Sequence, residues 1–176
     1  GIITTFAGDG FLDVPNNIGL REGRFTSDDV PATQSSLNFP TGMLKDAAGN
    51  LYIADSVNQR VRKVDTNGVI TTFAGNGNIN LTAQPPRGFF TGDEGPATQA
   101  SLSGPNAMAM DAAGNIYIAD ALNHRIRKVD TGGIITTVAG SGPVGVTGAF
   151  AGDGGPATQA RLNEPYSVTI DNAGNL

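Results

Sequence analysis

The stretch NLYIADSVNQRVRKVDTNGVITTFAG, from Asn50 to Gly75, returns almost letter for letter as NIYIADALNHRIRKVDTGGIITTVAG from Asn115 to Gly140. Each copy holds three short runs rich in β-branched residues: NLYIAD or NIYIAD, then RVRKVD or RIRKVD, then VITTFAG or IITTVAG. Turn residues separate the runs, above all Asn67-Gly68 and Gly132-Gly133, and such pairs tolerate the positive φ of a tight hairpin. A further strand signal precedes each copy through an Ala-Gly-Asn turn: TGMLKD, NAMAMD and, a third time, YSVTID. The pattern predicts a four-stranded antiparallel meander. One such sheet cannot bury both faces, so it must stack on copies of itself, as a propeller blade does.

The repeat extends beyond the meander. GIITTFAG at Gly1, GVITTFAG at Gly68 and GIITTVAG at Gly133 are each followed by a loop and then by FTSDDVPATQSSL, FTGDEGPATQASL or FAGDGGPATQARL. Length varies only between Gly8 and Phe25, Gly75 and Phe90, and Gly140 and Phe150. The expected organisation is a single array: residues 1–8 as the outer strand of a preceding blade, a loop at 9–41 and a first blade at 42–75. A loop at 76–105, a second blade at 106–140, a loop at 141–165 and the start of a third blade at 166–176 complete it. The fold class is all-β, with about 2.5 blades. Small residues on the first strand of each unit suit the crowded axis where blades converge, whereas Lys45 breaks that pattern and belongs at the central channel or a blade edge.

Composition agrees and excludes several classes. The 25 Gly without a three-residue period, the 10 Pro and the absence of Cys and Trp describe a turn-dense β chain without disulfides or thiolate metal sites. A net charge of −5 argues against a nucleic-acid partner, whose affinity rests on Lys and Arg. No run approaches the roughly 18 to 20 apolar residues of a membrane helix, so no membrane insertion is expected.

The run P-x-x-[MVI]-x-x-D-x-A-G-N-[LI]-Y-I-A-D-x-x-N-x-R-[IV]-R-K-V-D resembles the NHL repeat. The long variant with GDGGPATQA between blades is similar to repeats of large bacterial NHL proteins and, more distantly, of teneurin propellers. This resemblance implies blades of about four strands in a ring of commonly six. It also implies an extracellular or cell-surface location.

The candidate site residues fall into three groups. The recurring carboxylates Asp28, Asp93 and Asp153 are read first as caps of a short helical turn opened by Pro31, Pro96 and Pro156, and alternatively as Ca²⁺ ligands. Asp55 with Arg60, and Asp120 with Arg125, are expected to pair across the turn between the second and third strands. Phe11, Arg87, Phe89, Phe90 and Tyr166 are the candidates for contact with a partner. His124, the only histidine, is expected at the surface of a blade turn and cannot by itself build a zinc site or a catalytic triad.

No catalytic residue and no cofactor are assigned, Ca²⁺ apart. The expected function is a non-catalytic scaffold assembling through protein–protein contacts, with copies of itself or with the rest of a longer chain. The alternatives are a lactonase- or lyase-like propeller enzyme with a divalent ion, and a glycan-binding platform.

Overall fold

One device closes turn after turn in this chain: an Asp followed three residues later by Gly. Asp46 Oδ1 accepts the Asn50 N–H (2.7 Å), the Asp46 carbonyl accepts the Gly49 N–H (3.1 Å), and Gly49 takes φ +98°. Asp65 with Gly68, Asp111 with Gly114, Asp130 with Gly133 and Asp171 with Gly174 repeat it. The side-chain amides of Asn50, Asn115 and Asn175, and the Val69 N–H at Asp65, hold the Asp46, Asp111, Asp171 and Asp65 carboxyls below the usual carboxylate range. The hydrogen bonds of each of these turns are made within its own five residues.

Between these turns, a computed structural model describing residues 2–10, 25–80, 87–142 and 150–176 shows two antiparallel sheets. In the first, β2 (Pro40–Lys45), β3 (Leu51–Asp55), β4 (Arg60–Val64) and β5 (Val69–Ala74) form the expected meander. The outer edge carries a fifth strand, β1 (Val30–Pro31), paired with β5 through Val30↔Ile70 and Pro31↔Val69. A two-stranded ribbon of β6 (Ile79–Asn80) and β7 (Arg87–Gly88) follows. The second sheet repeats the first, with β8 (Gly95–Pro96) outside β12 (Ile134–Ala139), then β11 (Arg125–Val129), β10 (Ile116–Asp120) and β9 (Pro105–Met110). The word ending in Pro31 or Pro96, expected to be loop alone, thus supplies an edge strand. It covers the first two residues of the outer strand, part of the backbone row that an edge otherwise presents.

The core lies between blades. Tyr52, Ala54, Val61 and Ala74 on one face of the first sheet pack against Ala97, Leu102, Met108, Ile116, Ile118 and Ile135 of the second unit. The opposite face of the first sheet buries Ile53, Val64 and Ile70 under Ala32 and Leu37. The far face of the second buries Tyr117, Ala119 and Ile126 against Leu162, Val168 and Ile170. Period-two alternation therefore serves two different interfaces, as stacked blades require.

The small residues of the first strands meet as expected: a Cβ on Gly42 would collide with the Asn106 carbonyl of the next blade. Lys45 is exposed at the end of β2. Residues 2–10 form no strand; Ile2 and Ile3 are exposed, and the segment is tied down where the Gly8 N–H donates to the Ala32 carbonyl (2.9 Å). No helix among the described residues is long and apolar enough to cross a membrane.

Candidate functional site

Two arginines are the largest fully buried side chains of the described residues. Arg62 and Arg127 are fully buried at the centre of their sheets, each beside an irregularity in the pairing of β4 with β5 and of β11 with β12. Such bulges re-aim a side chain. Arg62 meets Asp28 at 2.9 Å and Asp55 at 3.6 Å; Arg127 meets Asp93 at 2.6 Å and Asp120 at 3.4 Å. The ring of Phe25 lies 4.0 Å from the Arg60 guanidinium and 4.9 Å from that of Arg62. Phe90 repeats this at 3.7 Å from Arg125 and 4.8 Å from Arg127.

The clasp has one member from each level of the repeat. A loop Phe-x-x-Asp preceding the blade grips an Arg-x-Arg strand in the blade's middle, and an Asp from the neighbouring strand holds the second arginine from behind. Thr72 and Thr137 add hydroxyl donors to Asp28 (3.1 Å) and Asp93 (2.7 Å). Asp120 also accepts the Ser103 N–H (2.7 Å) and Asn123 Nδ2 (2.8 Å), yet burial outweighs these donors and Arg127 and pushes its carboxyl up to about 6. Asp55 is shifted upward for the same reason.

This geometry corrects four expectations. Asp55 and Asp120 pair with Arg62 and Arg127, not with Arg60 and Arg125; the latter stack on Phe25 and Phe90 and donate to the Asn76 and Ser141 carbonyls (2.8 and 2.7 Å). Asp28 and Asp93 cap no helix: the 3₁₀ turn Ala32–Gln34 has no side-chain cap, and both carboxylates are spent on arginine and threonine. Phe90, expected to meet a partner, is instead half-buried and stacked by Arg125 of its own blade. His124 is buried, not exposed, with φ +55°, and its Nδ1 accepts the Glu164 N–H at 3.0 Å.

His124 and its counterpart Gln59 do the same work. Gln59, also at φ +55°, accepts the Gly104 N–H of the next unit through Oε1 at 2.6 Å. Either side chain latches one blade's turn to the backbone just before the next blade's first strand.

Of the other candidates, Phe89 is partly exposed and its carbonyl accepts Asn123 Nδ2 (2.9 Å). Tyr166 is exposed and donates to Glu164 (2.9 Å). The backbone of Arg87 pairs with Asn80, and Phe11 lies outside the described residues. Asp153 is exposed and takes part in none of the ion pairs among the described residues. Among those residues no three His, Asp or Glu side chains converge as a metal would need.

Sequence reasoning placed Asp28, Asp93, Phe25 and Phe90 in recurring positions but missed what they grip. The signal was present: Asp28 precedes Arg62, and Asp93 precedes Arg127, by the same 34 residues.

Comparison with known proteins bears on the same repeat. The Teneurin NHL domain family matches residues 85–148, which include the second blade and its clasp. Teneurin-1 of Gallus gallus is 34% identical over 130 residues, 69% of this chain. NHL repeat-containing protein 2 of Gallus gallus is 29% identical over 160 residues, 90% of this chain. The chain belongs to the NHL-repeat β-propeller family. It spans 5% of that teneurin and 19% of the second relative, so the NHL repeats are the shared part. Among solved structures, a Bacteroides thetaiotaomicron protein of unknown function is 26% identical with a TM-score of 0.57, over 83% of this chain and 32% of its own. The two NHL blades here show how the repeat's arginines, aspartates and phenylalanines hold such an array together.

Proposed function

We propose that this NHL array is a non-catalytic scaffold that assembles through protein–protein contacts, including contacts with its own copies, at the cell surface or outside the cell. One observation carries the reading. Met108, on the first strand of the second blade, is 8% exposed because the first blade covers it, whereas Met43, at the same place in the first blade, is 71% exposed. Phe39, just before the same strand, is exposed as well. An apolar face of this kind is a contact surface, for a further blade of the same protein or for a partner. The resemblance to teneurin and other NHL repeats supports the setting, and the use of His124 Nδ1 as a structural acceptor supports a non-catalytic role.

Light scattering after size exclusion, over a range of protein concentrations, tests this. The expected result is a molar mass that rises above that of one chain and falls back in Met43→Asp. A single-chain mass at every concentration refutes self-association.

A further inference from the structure

The first blade carries a chemical weak point that the second lacks. An Asn-Gly pair is prone to lose ammonia, because glycine has no side chain to keep its backbone nitrogen away from the neighbouring amide carbon. The chain has two such pairs, Asn67-Gly68 and Asn76-Gly77, and the second blade has Gly132-Gly133 in place of the first.

The fold treats the two pairs differently. Asn67 is exposed at the turn between β4 and β5, and its Nδ2 donates only weakly, to Asp65 Oδ2 at 3.4 Å. The space beside Gly68 is open: a Cβ there would meet nothing within 4 Å. The Gly68 N–H donates to the Asp65 carbonyl (3.0 Å), a bond internal to the turn that can open while both blades stay packed. Asn76 is half-buried and clamped. Its Nδ2 donates to the Gln99 carbonyl (2.9 Å) and to Ser101 Oγ (3.0 Å), and its Oδ1 accepts the Asn78 N–H (2.9 Å). Its own N–H donates to the Ala100 carbonyl (2.8 Å), its carbonyl accepts from Arg60 (2.8 Å), and a Cβ on Gly77 would run into the Arg60 guanidinium. Freeing Asn76 requires parting the first blade from the loop of the second unit.

We propose that Asn67 is a self-modification site, converting without an enzyme to isoaspartate and aspartate, and that the conversion loosens the outer edge of the first blade. When the turn opens, the Gly68 nitrogen attacks Cγ of Asn67. The amide nitrogen leaves as ammonia, taking the proton of the Gly68 N–H, and a five-membered succinimide remains. Water then opens this ring. Attack at one carbonyl gives aspartate; attack at the other gives isoaspartate, whose main chain runs through the former side chain and is one carbon longer. The lengthening falls beside an anchor: the Gly68 carbonyl accepts the Ala32 N–H (2.8 Å), and Val69 pairs with Pro31 of β1. β1 in turn follows the loop that carries Asp28 of the clasp. The Gly133 carbonyl holds the Ala97 N–H in the same way (2.8 Å), at a turn without asparagine.

In the test the whole chain is incubated in mildly alkaline buffer and followed by peptide mapping, beside a free peptide of its residues 63–70. Asn67 is expected to exchange amide for acid, with isoaspartate among the products, at least about tenfold faster than Asn76. Asn67→Gly, which writes the second blade's turn into the first, abolishes the product. In the aged chain the Ala32 amide should exchange its hydrogen faster than before, while the Ala97 amide keeps its rate. Asn67 still intact after the peptide has fully reacted, or Asn76 reacting as fast as Asn67, overturns the proposed site. Isoaspartate at Asn67 with unchanged exchange at Ala32 overturns the loosening of the edge.

Discussion

Asp120→Asn tests whether burial or the neighbouring arginine governs the carboxylate inside the clasp. Asp120 is fully buried and accepts from Ser103, Asn123 and Arg127, yet its carboxyl lies at about 6 instead of the ordinary 3.8. Between those values the folded chain holds a proton that the unfolded chain has lost, so stability falls as pH rises through the window. Above it the ionised carboxylate costs the fold about 3 kcal/mol, the free-energy equivalent of that displacement.

Asparagine resembles the protonated acid at every pH. The variant is therefore expected to gain about 3 kcal/mol on the wild type between pH 3.5 and pH 7. Urea unfolding followed by circular dichroism at several pH values, with the two curves subtracted, reads this directly. Subtraction matters because Asp46, Asp65, Asp111 and Asp171, shifted downward, raise stability over part of the same range. A difference that stays flat, or that favours the wild type as pH rises, refutes the reasoning and means that Arg127 outweighs burial.

Three further outcomes are expected. Gly75 and Gly8 share a left-handed φ of +91° and +93°, but only a Cβ at Gly75 would run into backbone, at Gln59 and Arg60. Gly8→Ala should cost about 1 kcal/mol for backbone strain, and Gly75→Ala clearly more, by chemical denaturation. At the latch between blades, His124→Gln should keep stability, since Gln59 already fills the same role, whereas His124→Leu strands the Glu164 N–H at a cost of about 1–2 kcal/mol. Millimolar Ca²⁺ or its removal with EGTA should leave the melting temperature unchanged, because Asp28 and Asp93 are taken up by arginine; a rise with Ca²⁺ contradicts that assignment.

The strands and their order were legible because alternation, Asp-x-x-Gly turns and a near-exact repeat all act over a few residues. Contacts across 34 residues were less so. Asp55 and Arg60 are true register partners, as expected from the hairpin, but the bulge one residue on turns Arg62 inward and gives it the carboxylate. Strand pairing predicts neighbours and not which of them tilts toward the core. His124 was misplaced for a related reason: a lone polar residue in a turn reads as exposed until the next blade's backbone arrives to bond it. The two-residue strands ending at Pro31 and Pro96 carry no periodicity of their own and exist only because β5 and β12 offer an edge.

The most direct test of the clasp is a double-mutant cycle joining Asp93 and Arg127. Asp93→Asn, Arg127→Met and the double variant are unfolded in urea and their free energies compared. Arg127→Met alone should cost about 3–5 kcal/mol, since it leaves Asp120 buried without its cation. A coupling energy of about 2 kcal/mol is predicted for a 2.6 Å pair whose arginine is wholly buried. A coupling near zero contradicts the claim that the loop carboxylate and the buried arginine lock each blade to the segment before it.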